Sequence, residues 1–194
     1  MKFTTMALAS GALATALILA GCSSTGTGAH TGMGGGGSSS TSTPSSAHND
    51  ADVAFAQNMV MHHQQAIEMS DVVLAKSAVS PQVTELAQKI KAAQQPEIET
   101  MNGWLTTWGA STGAPHHMSG MMPDSDLDAL RRASGADIGK LFLSQMIEHH
   151  RGAIDMADTE TRAGKNPDAV ALAKKVVTDQ TAETATMTSM LGSL

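Results

Sequence analysis

The sequence repeats a cluster of methionine and histidine residues, and this repeat restricts the folds that the chain can adopt. The cluster reads Met-Val-Met-His-His over residues 59–63 and Met-Ile-Glu-His-His over residues 146–150. A second pattern, Gln-x-x-Glu-x-x-x-Met, starts at Gln94 and again at Gln180. The copies are offset by 87 residues for the first pattern (62 to 149) and by 86 for the second (97 to 183). Each half therefore predicts two helices joined by a short turn, and two such hairpins are sufficient for one all-α four-helix bundle.

Helix punctuation gives the expected boundaries. Ser80-Pro81 and Asn166-Pro167 each combine a capping residue with proline at the first helical position. The expected elements are long helices over about 50–77, from 81, over 137–163 and from 167, a short helix over 125–133, and a loop rich in Gly, Pro, His and Met over 109–123. The bundle is expected to cover residues 49–194, with repeat units at about 50–108 and 137–194.

Histidine and methionine share the inward face of the first and third long helices. Steps of three and four residues place these side chains on one seam, and His63 and His150 lie on the stripe beside it. The seam residues are Met59, His62 and Met69 in the first helix, and Met146, His149 and Met156 in the third. These polar side chains are therefore expected inside the bundle.

The second and fourth long helices also turn polar residues inward. Their seams contain Gln94, Glu97 and Met101, and Gln180, Glu183 and Met187. A rise of about 1.5 Å per residue predicts that His62 is level with Glu97 and His149 with Glu183. The same estimate predicts a methionine layer beside them, in which Met59 matches Met101 and Met146 matches Met187. Buried carboxylates and amides are costly unless they are paired or bound to metal.

This combination of side chains favours a soft metal. Thioethers select Cu(I), and imidazole accepts both oxidation states of copper. The candidate ligands are Met59, His62, His63, Met69, Met101, Met146, His149, His150, Met156 and Met187. Candidates for supporting or additional ligands are Glu97, Glu183, Gln94 and Gln180. A secondary site is expected in the loop at His116, His117, Met118, Met121 and Met122. Cu(I) is the expected ion, with Cu(II) at the loop and silver as alternatives.

The N-terminus has the pattern of an exported lipoprotein. Lys2 and an apolar run precede Leu19-Ala-Gly-Cys22, which resembles a bacterial lipobox and implies cleavage before Cys22 and lipid attachment to its sulfur. Residues 1–21 are thus the expected signal peptide, and Cys22 with the Gly/Ser/Thr-rich stretch to residue 48 is the expected flexible tether. We expect an extracytoplasmic protein that is anchored to the cell membrane through its single cysteine.

Composition excludes several function classes. The net charge is −6 and aromatic residues make up 3% of the chain, which disfavours nucleic-acid binding. The sequence has no Gly-rich phosphate loop and no serine in a nucleophile elbow, and lipidation would consume its one thiol. We therefore expect no catalytic activity. The expected partners are a metal ion and the membrane, with a copper-transfer partner and self-association as further alternatives.

The motifs resemble those of a bacterial family called domain of unknown function 305. The matching segments are residues 59–63, residues 146–157 and the stretch from Gln94 to Leu105, within a match from about Asp50 to Leu191. The resemblance implies a ferritin-like four-helix bundle in an exported protein, with copper binding or copper tolerance in some relatives. Pro96 departs from the family pattern and is expected to interrupt the second helix just before Glu97.

Three interpretations remain open at this point. The first is a copper-binding lipoprotein for buffering, sequestration or transfer. The second is a metal-free structural or interaction module, in which methionines fill the core and His62 and His149 bond to Glu97 and Glu183. The third is a di-iron or di-manganese enzyme, although such sites use Glu-x-x-His, and this chain has methionine in place of that glutamate at residues 59 and 146.

Replacing the single cysteine tests the anchor. We expect Cys22→Ser to release the protein from the membrane fraction, because the polar tether has no membrane affinity of its own. Fractionation of cells that express each form measures this. A variant that stays in the membrane fraction would show that another segment holds the protein there.

Overall fold

A computed structural model describes residues 47–113 and 118–194. In these ranges the chain is all helical, with α1 (Asp50–Leu74), α2 (Pro81–Trp108), α3 (Asp124–Arg132), α4 (Gly135–Ala163) and α5 (Pro167–Leu191). None of the helices in these ranges combines the length and apolar character that a membrane crossing requires. The predicted signal peptide, Cys22, nearly all of the tether, and His116 and His117 lie outside the described residues.

The two repeats form two helical hairpins. Helix α1 packs on α2 and α4 packs on α5, while α1 and α4 form the main contact between the hairpins. The short α3 lies against α1 and α4, and α2 and α5 make few direct backbone contacts with each other. This arrangement is the predicted ferritin-like four-helix bundle built from duplicated hairpins.

Local sequence signals account for the helix ends. Asn49 forms a capping box with Asp52 at the start of α1, and the Asn166 side chain accepts hydrogen bonds from the first backbone N–H groups of α5. Helix α2 begins at Pro81, but the Ser80 side chain makes no capping bond. Gly109 ends α2 in the left-handed conformation, with φ of 66°.

Two expected boundaries are corrected. Helix α1 ends at Leu74, earlier than residue 77, because the chain turns there and Ala78 adopts a positive φ of 61°. Helix α2 continues through Pro96, so the expected interruption is wrong. Pro96 and Ala92 are both exposed, and water can therefore satisfy the Ala92 carbonyl that loses its helical donor.

A polar layer divides the apolar core into two clusters. The first cluster includes Met69, Val83, Ile90, Phe142, Met146 and Met187. The second includes Phe55, Met59, Met101, Trp104, Ala157 and Val176. On every long helix the residues between the two clusters are polar and buried: His62 and His63, Gln94, His149 and His150, and Gln180. The polar layer therefore crosses the middle of the bundle.

A buried carboxyl pair joins the start of α1 to the turn between α4 and α5. The Asp52 carboxylate accepts hydrogen bonds from the backbone N–H groups of Asn49 (2.7 Å), Lys165 (3.0 Å) and Asn166 (2.8 Å). Burial and the neighbouring Asp52 raise the pKa of Glu160, which is 1% exposed, to about 8. Burial acts to raise the pKa of Asp52 too, but hydrogen bonds from Glu160 and the backbone outweigh it and lower that pKa. The raised pKa of Glu160 beside the lowered pKa of Asp52 favours a single proton held on Glu160 at neutral pH.

This pair makes the stability of the bundle depend on pH. Because the pKa of Glu160 is raised on folding, its contribution is complete below the unfolded value of 4.5 and is lost as the pH rises through about 8. Glu160→Gln retains a donor for Asp52 and removes the titration. We expect the free energy of unfolding to fall less between pH 5 and pH 8.5 in this variant than in the unmodified protein, as measured by urea denaturation.

Glu148→Gln is the matched control, because Glu148 lies on the same helix and is exposed. It should leave the pH dependence as it is in the unmodified protein. Equal pH dependence in Glu160→Gln and the unmodified protein would contradict a proton shared between Asp52 and Glu160.

Candidate metal centre

Four fully buried histidines lie at the centre of the bundle, where α1 meets α4. The rings of His62 and His149 contact each other, with their centroids 3.7 Å apart. The His149 and His150 centroids are 6.4 Å apart. All four side chains, including His63, have no exposed surface. The two copies of the repeat therefore meet through their histidines.

The glutamates bind the second histidine of each pair. His63 Nε2 lies 2.9 Å from Glu97 Oε2, and His150 Nε2 lies 2.6 Å from Glu183 Oε2. The expected partners of these glutamates, His62 and His149, face each other instead. The predicted level of the glutamates was right, but the predicted histidine was wrong. Consecutive residues are rotated by about 100° around a helix, and an estimate of height along the axis does not include this rotation.

Hydrogen bonds fix the tautomer of three rings. A carboxylate or a backbone carbonyl can only accept, so His63 Nε2–H donates to Glu97 and His150 Nε2–H donates to Glu183. His62 Nε2–H likewise donates to the Ser119 carbonyl at 3.2 Å. When such a ring is neutral, its other nitrogen, Nδ1, carries a lone pair. All three Nδ1 atoms are buried and have no hydrogen-bond partner.

Burial disfavours the charged form of His62, His63 and His149. It lowers the pKa of His62 to about 3 and is also the main cause that lowers the pKa values of His63 and His149. His149 makes no hydrogen bond of normal geometry through either ring nitrogen. Neutral imidazole is the form that binds metals, so these three histidines can offer a nitrogen to a metal at neutral pH without the loss of a proton.

The two glutamates differ in their surroundings. Lys175 Nζ lies 2.9 Å from Glu97 Oε1 and 2.7 Å from Asp179 Oδ2, so it bridges α2 and α5. Asp179 first and Glu97 second raise the pKa of Lys175 to about 12. The Glu97 side chain is 11% exposed, whereas that of Glu183 is 26% exposed. One side of the polar layer is therefore covered more fully than the other.

Methionines lie on both sides of the histidine layer. Met59 and Met101 share one core cluster, while Met146 and Met187 share the other with Met69. All five of these side chains are fully buried. Each methionine thus shares a cluster with its predicted partner. The two pairs lie on opposite sides of the histidines, however, so they form two layers and not the single layer that was predicted. Met156 is only partly buried at the edge of the second cluster.

A buried methionine precedes each histidine pair by one helical turn. Met59 lies three residues before His62, and Met146 lies three residues before His149, which places each pair on one helix face. Gln94 and Gln180 are buried in the histidine layer, and the Oε1 atom of each has no hydrogen-bond partner. Within the described residues, no three His, Cys, Asp or Glu side chains are grouped so that they could hold one metal ion. The buried methionine sulfurs one helical turn away are therefore the candidates for additional donors in these ranges.

The loop before α3 closes over the histidine layer, a feature that the sequence analysis missed. Its Ser119 carbonyl meets His62, and both backbone groups of Met122 bond to the Gln65 side chain, at 2.9 Å and 2.7 Å. A Cβ atom on Gly152 would lie 2.1 Å from the Ser119 oxygen. Gly152 therefore gives the loop room to approach α4. Glycine inside a helix is unfavourable and was a signal of close approach in the sequence.

The candidate loop residues have separate outcomes. Met118, Met121 and Met122 belong to the segment that covers the histidines, and each is partly buried. His116 and His117 lie outside the described residues. The sequence pattern predicted a separate secondary site in this loop. In the structure, the described part of the loop contacts the central layer through Ser119.

The fold and the buried polar layer define a ferritin-like four-helix bundle with a histidine centre. The chain belongs to the family Domain of unknown function (DUF305), whose profile matches residues 52–191. A search of curated protein sequences gives no match.

Solved structures of this family are similar to the chain. A DUF305 protein from Streptomyces coelicolor that is described as secreted has 30% identity and a TM-score of 0.70, over 74% of this chain and 93% of that chain. A DUF305 fragment from Deinococcus radiodurans has 30% identity and a TM-score of 0.70, over 75% and 98%. CopM in its Cu(I)-bound form has 30% identity and a TM-score of 0.63, over 73% and 96%. CopM has also been solved with Cu(II) and with silver.

The close approach at Gly152 gives a test of the loop. In Gly152→Ala the new methyl group would collide with the Ser119 carbonyl, so the segment 118–122 must move and its hydrogen bonds must break. We expect the Met122 amide, which donates to Gln65, to lose protection in hydrogen exchange.

Gly103→Ala is the matched control, since Gly103 is also inside a helix and a Cβ there would meet nothing within 4 Å. It should stabilise the protein by about 1 kcal/mol through helix propensity and leave Met122 protected. Full protection of Met122 in Gly152→Ala would show that the loop does not depend on this contact.

Proposed function

We propose that this protein is an envelope lipoprotein that binds Cu(I) at the histidine layer and its flanking methionines, for buffering, sequestration or transfer of copper. The observation that carries the proposal is the state of the imidazoles. His62, His63 and His150 each donate one N–H to a fixed acceptor and keep a buried, unpartnered Nδ1. Metal-binding histidines have this arrangement, because the acceptor orients the ring and increases its basicity.

The residues have distinct proposed roles. Free ring nitrogens of His62, His63, His149 and His150 bind copper, with fewer than three of them on any one ion, and Glu97, Glu183 and the Ser119 carbonyl hold the rings. Thioethers from Met59 and Met146, with Met101 and Met187 behind them, supply the soft donors that favour Cu(I). Met69 and Met156 are outer thioethers, and Gln94 and Gln180 are polar neighbours of the layer. The loop histidines 116 and 117, with Met118, Met121 and Met122, form a secondary site that also accepts Cu(II).

Comparison with relatives supports the same function. CopM, whose structures hold Cu(I), Cu(II) and silver, shares the fold of this chain over 73% of this chain and nearly all of the CopM chain. The Streptomyces coelicolor relative is described as secreted, which agrees with an extracytoplasmic location. Attachment through a lipid on Cys22 rests on the lipobox resemblance.

The metal-free alternative explains less of the layer. Methionine is a common core residue, so the buried thioethers alone are compatible with packing. A structural layer, however, should satisfy its buried polar atoms. Here ring nitrogens of all four histidines lack a partner, as do the Oε1 atoms of Gln94 and Gln180. A bound ion would satisfy the ring nitrogens that coordinate it.

The enzymatic alternative lacks its ligands in this layer. A carboxylate-bridged pair of iron or manganese ions needs glutamates from all four helices. Here α1 and α4 place Met59 and Met146 at the equivalent positions, and Glu97 and Glu183 already accept hydrogen bonds from histidines. We therefore propose binding rather than catalysis.

Replacement of the two inner thioethers separates metal binding from packing. In the double variant Met59→Leu and Met146→Leu, volume and apolar character are nearly retained, so each change should cost less than about 1.5 kcal/mol of stability. Leucine cannot bind Cu(I). We expect helical content to be retained and Cu(I) affinity, measured by competition with a chromophoric chelator, to fall together with the stabilisation by silver.

Met61→Leu is the control. Met61 lies on α1, as Met59 does, but it is only partly buried and belongs to neither core cluster. It should bind Cu(I) as the unmodified protein does. Undiminished affinity in the double variant would assign these methionines to packing, and iron that copurifies with the unmodified protein would favour the carboxylate-site alternative.

A further inference from the structure

A groove opens between α2 and α5 on one side of the histidine layer. Its volume is about 480 Å³. The residues that matter here are Glu85 and Lys89 of α2, and Glu183, Thr186, Ser189 and Met190 of α5. Glu183 lines this groove and also bonds to His150 at 2.6 Å. The groove therefore reaches a residue that directly contacts the buried layer.

In the other half of the repeat, a lysine covers the glutamate that is equivalent to Glu183. The offset of 86 residues relates Lys89 to Lys175 and Glu183 to Glu97. Lys175 bonds to Glu97 and so joins α5 to α2, whereas Lys89 bonds to Glu85 on its own helix, at 2.7 Å. Lys89 thus leaves Glu183 accessible from the groove.

The same offset relates Met190 to Trp104. Trp104 is buried in the core, 9% exposed, and stacks on Trp108. Met190 is smaller and only partly buried, and it lines the groove. The open side therefore presents a thioether where the closed side has a buried indole. Glu183 and Met190 are seven residues apart on one helix, so they lie on the same face.

We propose that this groove is the route by which a soft monovalent cation, Cu(I) or Ag(I), reaches the histidine layer, with Met190 as its first thioether contact and Glu183 as the step to His150. The proposal rests on the proposed function and adds a route and a residue to it. Glu183 attracts the cation, while the positive charge of Lys89 is paired with Glu85. The Lys175 bridge makes the equivalent side of the bundle a poor route, because a cation would have to displace an ammonium group there.

The repeat supplies a matched pair of variants that test the route. Thr186 and Thr100 occupy equivalent positions, both are exposed, and each hydroxyl donates to the carbonyl four residues earlier at 2.9 Å. Only Thr186 lies in the groove described above. Thr186→Trp should obstruct the groove, and Thr100→Trp introduces the same side chain on the closed side.

The measurement is the rate of Cu(I) uptake from a chromophoric chelate under anaerobic conditions, with the equilibrium affinity taken from the end point. We expect Thr186→Trp to take up Cu(I) about tenfold more slowly, a change within the range over which association rates vary among variants of one site. Its end point should be unchanged, and Thr100→Trp should match the unmodified protein. Met190→Leu should also slow uptake while the end point is retained.

Equal uptake rates in Thr186→Trp and Thr100→Trp, with Cu(I) still bound at the end point, would overturn the route and leave the proposed function standing. No Cu(I) binding by the unmodified protein would overturn both. Helical content is checked by circular dichroism. If Thr186→Trp does not fold, Ser189→Trp replaces it, since Ser189 is exposed in the same groove.

Discussion

The contact between His62 and His149 is the constraint on which the rest of the structure depends. It lies where α1 crosses α4, the main contact between the two hairpins, and it puts imidazoles where a bundle normally has apolar side chains. Buried polar groups without partners cost stability. The surrounding structure offsets part of this cost, because Glu97, Glu183 and the Ser119 carbonyl each accept one ring N–H. The positions of α2, α5 and the loop are therefore all related to this layer.

The two halves of the repeat are chemically similar, but equivalent positions make different contacts in the structure. Gln65 and Gly152 are equivalent by the offset of 87 residues, yet Gln65 binds the loop through hydrogen bonds while Gly152 makes room for it. The glutamates diverge in the same way, since Lys175 covers one and a groove exposes the other. A repeat that is symmetric in its histidines and methionines is thus asymmetric in its access to solvent.

Sequence patterns were sufficient for the bundle and for the composition of its polar layer. The three- and four-residue steps placed His62, Met59 and Met101 inside, and all three are fully buried. The predicted heights of the glutamates along the helix axes were also right, because the rise per residue is nearly constant. The choice between His62 and His63 as the partner of Glu97 was wrong, since it depends on how α1 is rotated relative to α2. The predicted interruption of α2 at Pro96 was wrong for a different reason. The hydrogen bond that proline removes lies on an exposed face of the helix, where water can satisfy the free carbonyl.

The sequence by itself determined the number of helices, their approximate ends, and the presence of histidine, glutamate and methionine at the middle of the chain's two hairpins. These properties follow from local periodicity and from the repeat, which involve residues within a few turns of each other. Only the tertiary structure decided which imidazoles face one another, how the loop covers them, and which side of the layer is open. These outcomes depend on helix rotation and crossing, which are set by contacts between residues far apart in the chain.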